Sequence, residues 1–355
     1  MKAIVLTGTG IVDLLERPEP EVQERGDAIV RVTTAGICGS DLHILHGRDP
    51  GMKPGTIMGH EFTGTVEAVG EGVTGLNRGD RVAAPFTINC GECFYCLRQL
   101  PARCIRSLPF GFVTEEGTGL QGAQAELVRV PLASSTLLKI PDRRSDGSAL
   151  ADEEVLFLGD ILSTAYSCAE GAFLRKADVV VVVGCGPVGL LCILTATLFE
   201  PAAIVAIDTL EYRLDMARSL GAVVVRADAV AAEKLVRDLT EGRGADAALE
   251  AVGSPSALDL AIRLVRPGAA VSIAGYHTEP VYAFPIHQAY EKNLSLRIGR
   301  CNARKYMQQL LPVVLERRLP ITSIISHILP LEDGVRGYEI FDKRLDSALK
   351  VLLKP

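Results

Sequence analysis

The sequence predicts an α/β protein in which a doubly wound parallel sheet is joined to a second, barrel-like β domain. Three observations carry this expectation. The chain has 355 residues, a length that suits two domains. From about Leu150 onward, strand-like and helix-like segments alternate regularly, as in a parallel sheet with crossover helices. The first 150 residues instead show short apolar runs broken densely by Gly, Pro and Asp, the pattern of an irregular or barrel-like β domain.

The β half is expected to place strands at Ala3–Leu6, Ala28–Val32, Gly64–Val69, Arg81–Ala84 and Ala125–Val130. A helix then follows over Asp152–Gly171, with Leu156, Ile161, Ala165 and Cys168 near one face. The alternating half reads as strand Val179–Val183, helix Pro187–Phe199, strand Ile204–Ile207 and helix Tyr212–Leu220, closed by Gly221. Strands Val223–Val225, Asp246–Glu250 and Val271–Ala274 continue it, with helices around Glu233–Thr240 and Ala257–Val265, and Leu294–Ile298 is a final strand. Beyond Cys301 the chain returns to mixed character. Helices are expected over Lys305–Glu316 and Leu331–Asp342, and strands over Ile324–Ile328 and Ala348–Leu352, a piece that packs back onto the first domain.

Composition narrows the function classes. Hydrophobic residues make up 48% and charged residues 23%, ordinary for a folded chain. Lys and Arg number 37 against 43 Asp and Glu, a formal charge of −6. That balance offers no electrostatic footprint for nucleic acid and no polybasic surface for anionic lipid. The 21 uncharged residues Val179–Phe199 are long enough to span a bilayer. However, Gly184, Gly186, Pro187 and Gly189 divide them into a β-branched half and a Leu-rich half, so a buried strand, a turn and a buried helix account for them better.

Nine cysteines are present, four of them within the fifteen residues 90–104. Met1-Lys2 is followed by only four apolar residues before Thr7-Gly8, too short for a secretory h-region. Clustered cysteines in a cytoplasmic protein point to metal rather than disulfides. Cys90, Cys93, Cys96 and Cys104 supply four thiolates in one loop, which suits a closed, structural zinc site. Cys168, Cys185, Cys192 and Cys301 are left as packing residues, and His277, His287 and His327 as structural ones.

Gly184-Cys185-Gly186-Pro187-Val188-Gly189 fits G-x-G-x-x-G directly after five valines and at the start of a helix, the context a dinucleotide fingerprint requires. Gly184 permits the tight turn, Gly186 lets backbone approach a pyrophosphate, and Gly189 allows close strand–helix packing. Pro187 fits the first helical turn, where its missing N–H has no partner to lose. Asp208, 19 residues after Gly189, suits a carboxylate that accepts from ribose hydroxyls, which favours NAD over NADP. Arg213 is the counterweight, since a nearby arginine can accept a 2′-phosphate.

Cys38 and His60 gain weight from their surroundings. Gly36-Ile37-Cys38-Gly39-Ser40-Asp41-Leu42-His43 resembles the catalytic-cysteine loop, and Gly59-His60-Glu61-Phe62-Thr63-Gly64 the histidine signature, of the zinc-dependent medium-chain alcohol dehydrogenases. The four-cysteine lobe and the glycine fingerprint match that family in order and distance, and the resemblance covers essentially the whole chain. It implies a GroES-like β-barrel catalytic domain over residues 1–155 and 301–355 and a Rossmann-type coenzyme domain over 156–300. It also implies that Cys38 and His60 bind a catalytic zinc with Glu61 close by, giving two zinc ions per chain. The third ligand, a cysteine in many members, is here Asp160, with Cys168 as rival. That departure resembles the formaldehyde-dehydrogenase-like branch, whose long insertion this chain lacks, so the NAD is expected to exchange.

Further roles follow from the same resemblance. Ser40 and His43 form a proton relay, with His46 at the surface. Phe86 lines the substrate pocket, Thr164 faces the nicotinamide, and Lys350 reaches the cofactor phosphates and Glu61. The implied activity is hydride transfer between NAD and small alcohols, aldehydes or ketones. A polyol or threonine-type dehydrogenase, a formaldehyde dehydrogenase or dismutase, and a non-enzymatic dinucleotide-binding zinc protein are the alternatives. A homo-oligomer is expected, a tetramer in preference to a dimer, with Leu294–Ile298 as a pairing edge.

Overall fold

The computed structural model describes residues 1–49 and 51–355. They divide into two compact units, Met1–Ser163 with Asn302–Pro355, and Thr164–Cys301.

The first unit is built on the ten-residue strand Ala28–Ile37. Along one side it pairs antiparallel with Glu61–Val69. On its other side Leu127–Val130 pairs with its first half and Lys350–Lys354 with its last three residues. Arg81–Ala84, Leu138–Lys139 and Ile325–Pro330 complete a seven-stranded sheet. The C-terminal segment thus returns to the strand that leads into Cys38. Its interior is apolar, with Val30, Val32, Phe62, Val66, Val82, Phe110 and Val128 in one cluster. Phe62 and Phe110 meet edge to face at 5.2 Å, a favoured aromatic geometry. A second sheet holds Lys2–Gly8 between Ile11–Glu16 and Thr56–Ile57. Ile11–Glu16 was not among the expected strands. It is a largely exposed edge with two acidic residues in six, so its apolar signal is weak and its pairing with Lys2–Gly8 sustains it.

The second unit is a six-stranded, all-parallel sheet. Its strands are Val179–Val183, Ala203–Asp208, Val223–Arg226, Ala245–Glu250, Val265–Ile273 and Ser295–Arg297. Numbered along the unit, their spatial order is third, second, first, fourth, fifth, sixth. That order places the first and fourth strands at the topological switch point where dinucleotides bind in such sheets. The five valines are fully internal, as a central parallel strand covered on both faces must be. No helix among the described residues is long and apolar enough to cross a membrane. The uncharged run is the strand Val179–Val183, the glycine turn, and the helix Pro187–Ala196 with a last 3₁₀ turn.

One expected element is corrected. The helix over 152–171 is two pieces, Asp152–Leu156 and Ile161–Gly171, separated by a 3₁₀ turn over Phe157–Gly159. Asp160, with φ −146° and ψ −88°, breaks the path. Gly159 packs so tightly that an added Cβ would collide with the carbonyl oxygen of Ala84. The Gly159 oxygen in turn accepts from Phe86 N at 3.1 Å. Tertiary packing, not local propensity, interrupts the helix and turns Asp160 out of it. Gly159→Ala is therefore expected to destabilise the first unit by about 1–3 kcal/mol through overpacking. Urea unfolding followed in that unit checks this, and an unchanged midpoint would contradict the packing.

Candidate active site

Antiparallel register brings the first two candidate ligands together. Cys38 follows Ile37 and is the N-cap of the helix Gly39–Leu45. His60 immediately precedes Glu61, which pairs with Gly36 across the two strands. A Cβ at Gly36 would collide with Glu61 Oε2, so a larger residue there would displace that carboxylate. The helix break supplies the third. Asp160 Oδ2 stands 3.2 Å from His60 Nε2 and 3.6 Å from Cys38 Sγ. Ligand atoms of Cys38, His60, Glu61 and Asp160 all lie within 4.8 Å of one another. Cys38, His60 and Glu61 are buried, and the Asp160 side chain is 13% exposed.

This donor set fits a divalent cation. Burial, then the charges of Glu61 and Asp160, push the Cys38 thiol up. Burial also pushes Glu61 up, against the pull of Lys350. Burial would lower His60, but the Asp41 charge and the contact with Asp160 hold it well above its ordinary value. Burial opposes ionisation of Asp160, and His60 more than offsets that, leaving its carboxyl below the usual range. Glu61 Oε1 is buried with no hydrogen-bond partner. A cation at the centre would replace the proton on His60 and draw Cys38 to its thiolate. Sulfur, nitrogen and oxygen donors from three side chains match catalytic zinc, which keeps a fourth position for substrate or water.

The surrounding groups are equally placed. His60 Nδ1 faces Asp41 Oδ1 at 3.2 Å, and Asp41 Oδ2 accepts Cys38 N at 2.9 Å. Asp41, inside the quoted motif, was not assigned a role from sequence. Its place at the third position of a helix begun by Cys38 was the available signal. Ser40 Oγ lies 3.2 Å from His60 Nε2. His43 is in the last turn of the same helix, three residues on and so on the same face. His46 Nε2 is exposed and bonds Asp342 Oδ1 at 2.8 Å. Lys350 is 1% exposed. Its ammonium donates to Glu61 Oε2 and, at 3.0 Å, to the Ile37 oxygen. The Glu61 contact is the one the resemblance implies. Phe86 is half-buried and its oxygen accepts from Phe110 N.

The four-cysteine loop closes on itself. Cys90 and Cys104 sulfurs are 3.5 Å apart, Cys93 and Cys96 3.5 Å, and Cys90 and Cys96 4.0 Å. Tetrahedral zinc with bonds of about 2.3 Å would set sulfurs about 3.8 Å apart, so little movement is needed. Backbone N–H groups of Cys90, Cys93 and Arg106 point at these sulfurs. Amides of Cys96 and Ile105 lower the Cys93 thiol to about 6, while burial raises Cys96 to about 12.

In the second unit Gly184 takes φ +92° and Gly186 is the N-cap of the helix Pro187–Ala196, with Pro187 in its first turn and Val188 after it. A Cβ on Gly189 would collide with the Gly184 oxygen, whereas one on Gly186 would meet only Arg213 Nη1, at 3.8 Å. Gly189 is thus fixed by packing, and Gly186 leaves open space above the turn. Asp208 accepts Cys185 N at 2.7 Å and Leu210 N at 2.9 Å. Arg213 Nη1 stands 3.9 Å from its Oδ2. Thr164 is half-buried on the helix Ile161–Gly171. Cys168 donates to the Ser272 oxygen at 3.3 Å, and the grouped ligand atoms are those of Cys38, His60, Glu61 and Asp160.

Comparison with known proteins agrees with this geometry. The family described as alcohol dehydrogenase GroES-like domain matches residues 24–142, and that described as zinc-binding dehydrogenase matches residues 187–316. Zinc-type alcohol dehydrogenase B of Aspergillus flavus is 39% identical over 96% of this chain and 79% of its own. The chain belongs to the zinc-dependent medium-chain alcohol dehydrogenases. Like them, this dehydrogenase combines a GroES-like catalytic domain with a Rossmann-type sheet. The alcohol dehydrogenase TADH from Thermus sp. ATN1 superposes with a TM-score of 0.93 at 44% identity, covering 100% of this chain and 99% of that one. An E. coli CFT073 alcohol dehydrogenase solved with NADH gives a TM-score of 0.86 at 26% identity, covering 100% and 99%.

Thiol reactivity tests the electrostatics of this zinc dehydrogenase. After metal removal, iodoacetamide at pH 7 should label Cys93 well ahead of Cys38. Cys93 is above its lowered pKa of about 6 and hence ionised, while Cys38 is held as the thiol. Peptide mapping by mass spectrometry reads the order, and equal labelling would contradict it.

Proposed function

We propose that the protein is an NAD-dependent zinc alcohol dehydrogenase that interconverts small alcohols with aldehydes or ketones. The observation that carries this reading is the ligand cluster of Cys38, His60 and Asp160, with the orphaned Glu61 oxygen beside it. Cys38, His60 and Asp160 would hold a zinc whose Lewis acidity lowers the pKa of a substrate hydroxyl, and NAD bound at the fingerprint turn would supply the hydride acceptor. One thiolate and one carboxylate balance the metal's two charges, and the harder oxygen donor in place of a second sulfur makes it more electrophilic.

The chain's own groups handle the proton. Ser40 Oγ, beside His60 Nε2, is placed to take it from the substrate hydroxyl and pass it toward His43 on the same helix face. An imidazole there suits the outer end of a relay. Glu61 and Lys350 hold their charges against each other beneath the ligands, which keeps a carboxylate near the metal without raising the net negative charge. Asp208 and Arg213 sit together at the fingerprint turn. The Asp208 carboxylate supports NAD over NADP by accepting from the ribose and repelling a 2′-phosphate. The NADH carried by the E. coli CFT073 structure is consistent with this choice. Phe86, Thr164, and Lys350 toward the phosphates, keep the roles that the family resemblance implies.

Cys90, Cys93, Cys96 and Cys104 hold a second, structural zinc, which gives two per chain. The strand Ser295–Arg297 closes one edge of the parallel sheet, with Tyr290, Leu296 and Ile298 exposed near it. Such an edge suits pairing between copies, in a tetramer in preference to a dimer, and we place the enzyme in the cytoplasm. Asp160 favours one second reading, a formaldehyde dehydrogenase-like activity, since that branch shares the aspartate ligand.

A screen of primary, secondary and aromatic alcohols and formaldehyde, followed by the absorbance of NADH, tests the reading. Turnover with NAD should exceed that with NADP, and NADP preference would transfer the decision to Arg213. Ser40→Ala should lower kcat by about 10²–10⁴-fold. His60→Ala should abolish turnover and reduce bound zinc from two per chain to one. Full turnover in His60→Ala would falsify the assignment.

A further inference from the structure

Two buried side chains outside the ligand set, Gln124 and Tyr338, join both ligand-bearing segments to the C-terminal helix. Gln124 is fully buried, follows a turn at Gly122, and lies beside the segment that ends in His60. Its N–H donates to the Met58 oxygen at 2.9 Å and its oxygen accepts Ile4 N at 2.8 Å, while Ala123 N donates to the Gly59 oxygen. Its side chain turns the other way. Nε2 donates to the Gly36 oxygen at 3.0 Å and to Asp41 Oδ2 at 3.3 Å, and Oε1 accepts Tyr338 OH at 2.8 Å. Tyr338 lies on the helix Gly334–Lys343, packed with Ile4, Ile37, Met58 and Val351.

The amide can point only one way. Turned over, its oxygen would face the Gly36 carbonyl and the Asp41 carboxylate, and its NH₂ would lie where the phenol now donates. The space for it is reserved by Gly59, which takes φ +91° and where a Cβ would stand 2.8 Å from Gln124 Cδ. Asp41 then holds both ligands, receiving the Cys38 amide and facing His60 Nδ1. Neither His60 Nδ1 nor Asp41 Oδ1 has a hydrogen-bond partner among the described residues, so the direction of this 3.2 Å charge contact depends on what else anchors the carboxylate.

We propose that Gln124 and Tyr338 are positioning residues for the catalytic metal: the phenol orients the Gln124 amide, the amide anchors Asp41, and Asp41 aims His60 and the Cys38 turn. This rests on the reading that Cys38, His60 and Asp160 bind metal. Outer partners of this kind alter metal affinity by about 10–100-fold.

Zinc release to excess dipicolinate tests it, read beside the circular dichroism of each variant. The release phase missing from Cys38→Ser belongs to the catalytic site. Tyr338→Phe, which removes one oxygen, should accelerate that phase by about 10–100-fold and leave the four-cysteine phase and the fold unchanged. Gln124→Met should do at least as much, and the double variant no more than Gln124→Met alone. Equal acceleration of both phases, additive effects, or a folded Tyr338→Phe with wild-type release overturns the inference. If Gln124→Met does not fold, the Tyr338→Phe release phase decides alone. Wild type holding one zinc instead of two overturns the metal-site reading and this inference with it; two zincs with unchanged Tyr338→Phe release overturns the inference only.

Discussion

Negative charge gathered where water is scarce is the constraint on which the catalytic unit depends. Cys38, Glu61 and Asp160 bring three acidic groups within 4.8 Å of each other and of His60. An isolated buried carboxylate is costly, and several together are more so. The chain meets that cost in layers. Lys350 neutralises Glu61 from below, His60 faces Asp160, and the backbone amide of Cys38 serves Asp41. What remains at the centre is one unpartnered oxygen of Glu61 and a Cys38 thiol partnered by the Asp160 carboxylate, at 3.6 Å, and a divalent cation would answer both.

Each layer relies on the strand Ala28–Ile37. Its end carries Cys38, its neighbour on one side begins with Glu61, and its neighbour on the other begins with Lys350. Two antiparallel registers on one strand therefore set Cys38, Glu61 and Lys350, and a slip of one residue in either would turn its group to the opposite face. The glycines at 36 and 159 serve this arrangement by close approach: one makes room for the Glu61 carboxylate, the other lets the backbone before Asp160 lie against Ala84. The coenzyme unit solves a different problem. Its fingerprint turn keeps Gly189 tight against Gly184 and leaves the space over Gly186 open, while Asp208 braces the turn through Cys185 N. The same carboxylate also accepts Leu210 N, so it ties the glycine turn to the start of the next helix.

Much of this was legible in the sequence because it rests on local signals. The five valines, the glycine turn and Pro187 define their strand, loop and helix within twenty residues, where hydrophobic period and backbone freedom act at short range. The four cysteines announce a metal by spacing alone, since a single loop contains all of them. Cys38 and His60 were readable through their flanking motifs, and Asp160 through the family resemblance, although nothing in its own neighbourhood marks it as a ligand. Asp41 carried only its third-position place in the helix begun by Cys38, and Gln124 and Tyr338 gave no sign at all. A buried glutamine or tyrosine looks the same in sequence whether it supports a ligand or fills a core, because its partners are 83 and 214 positions away along the chain.

By itself, then, the sequence determined the fold class, the parallel sheet with its glycine turn, and two groups of candidate metal ligands, one of four clustered cysteines and one around Cys38 and His60. Tertiary structure decided the rest. It broke the expected helix at Asp160, sent Cys168 to the Ser272 carbonyl, committed Lys350 to Glu61 and Ile37, and drew the C-terminal strand and helix onto the metal-ligand segments. The reason is common to all four. Each outcome depends on groups far apart in the chain competing for the same buried space and the same hydrogen bonds, and that competition is settled only when the strands and helices have been brought together.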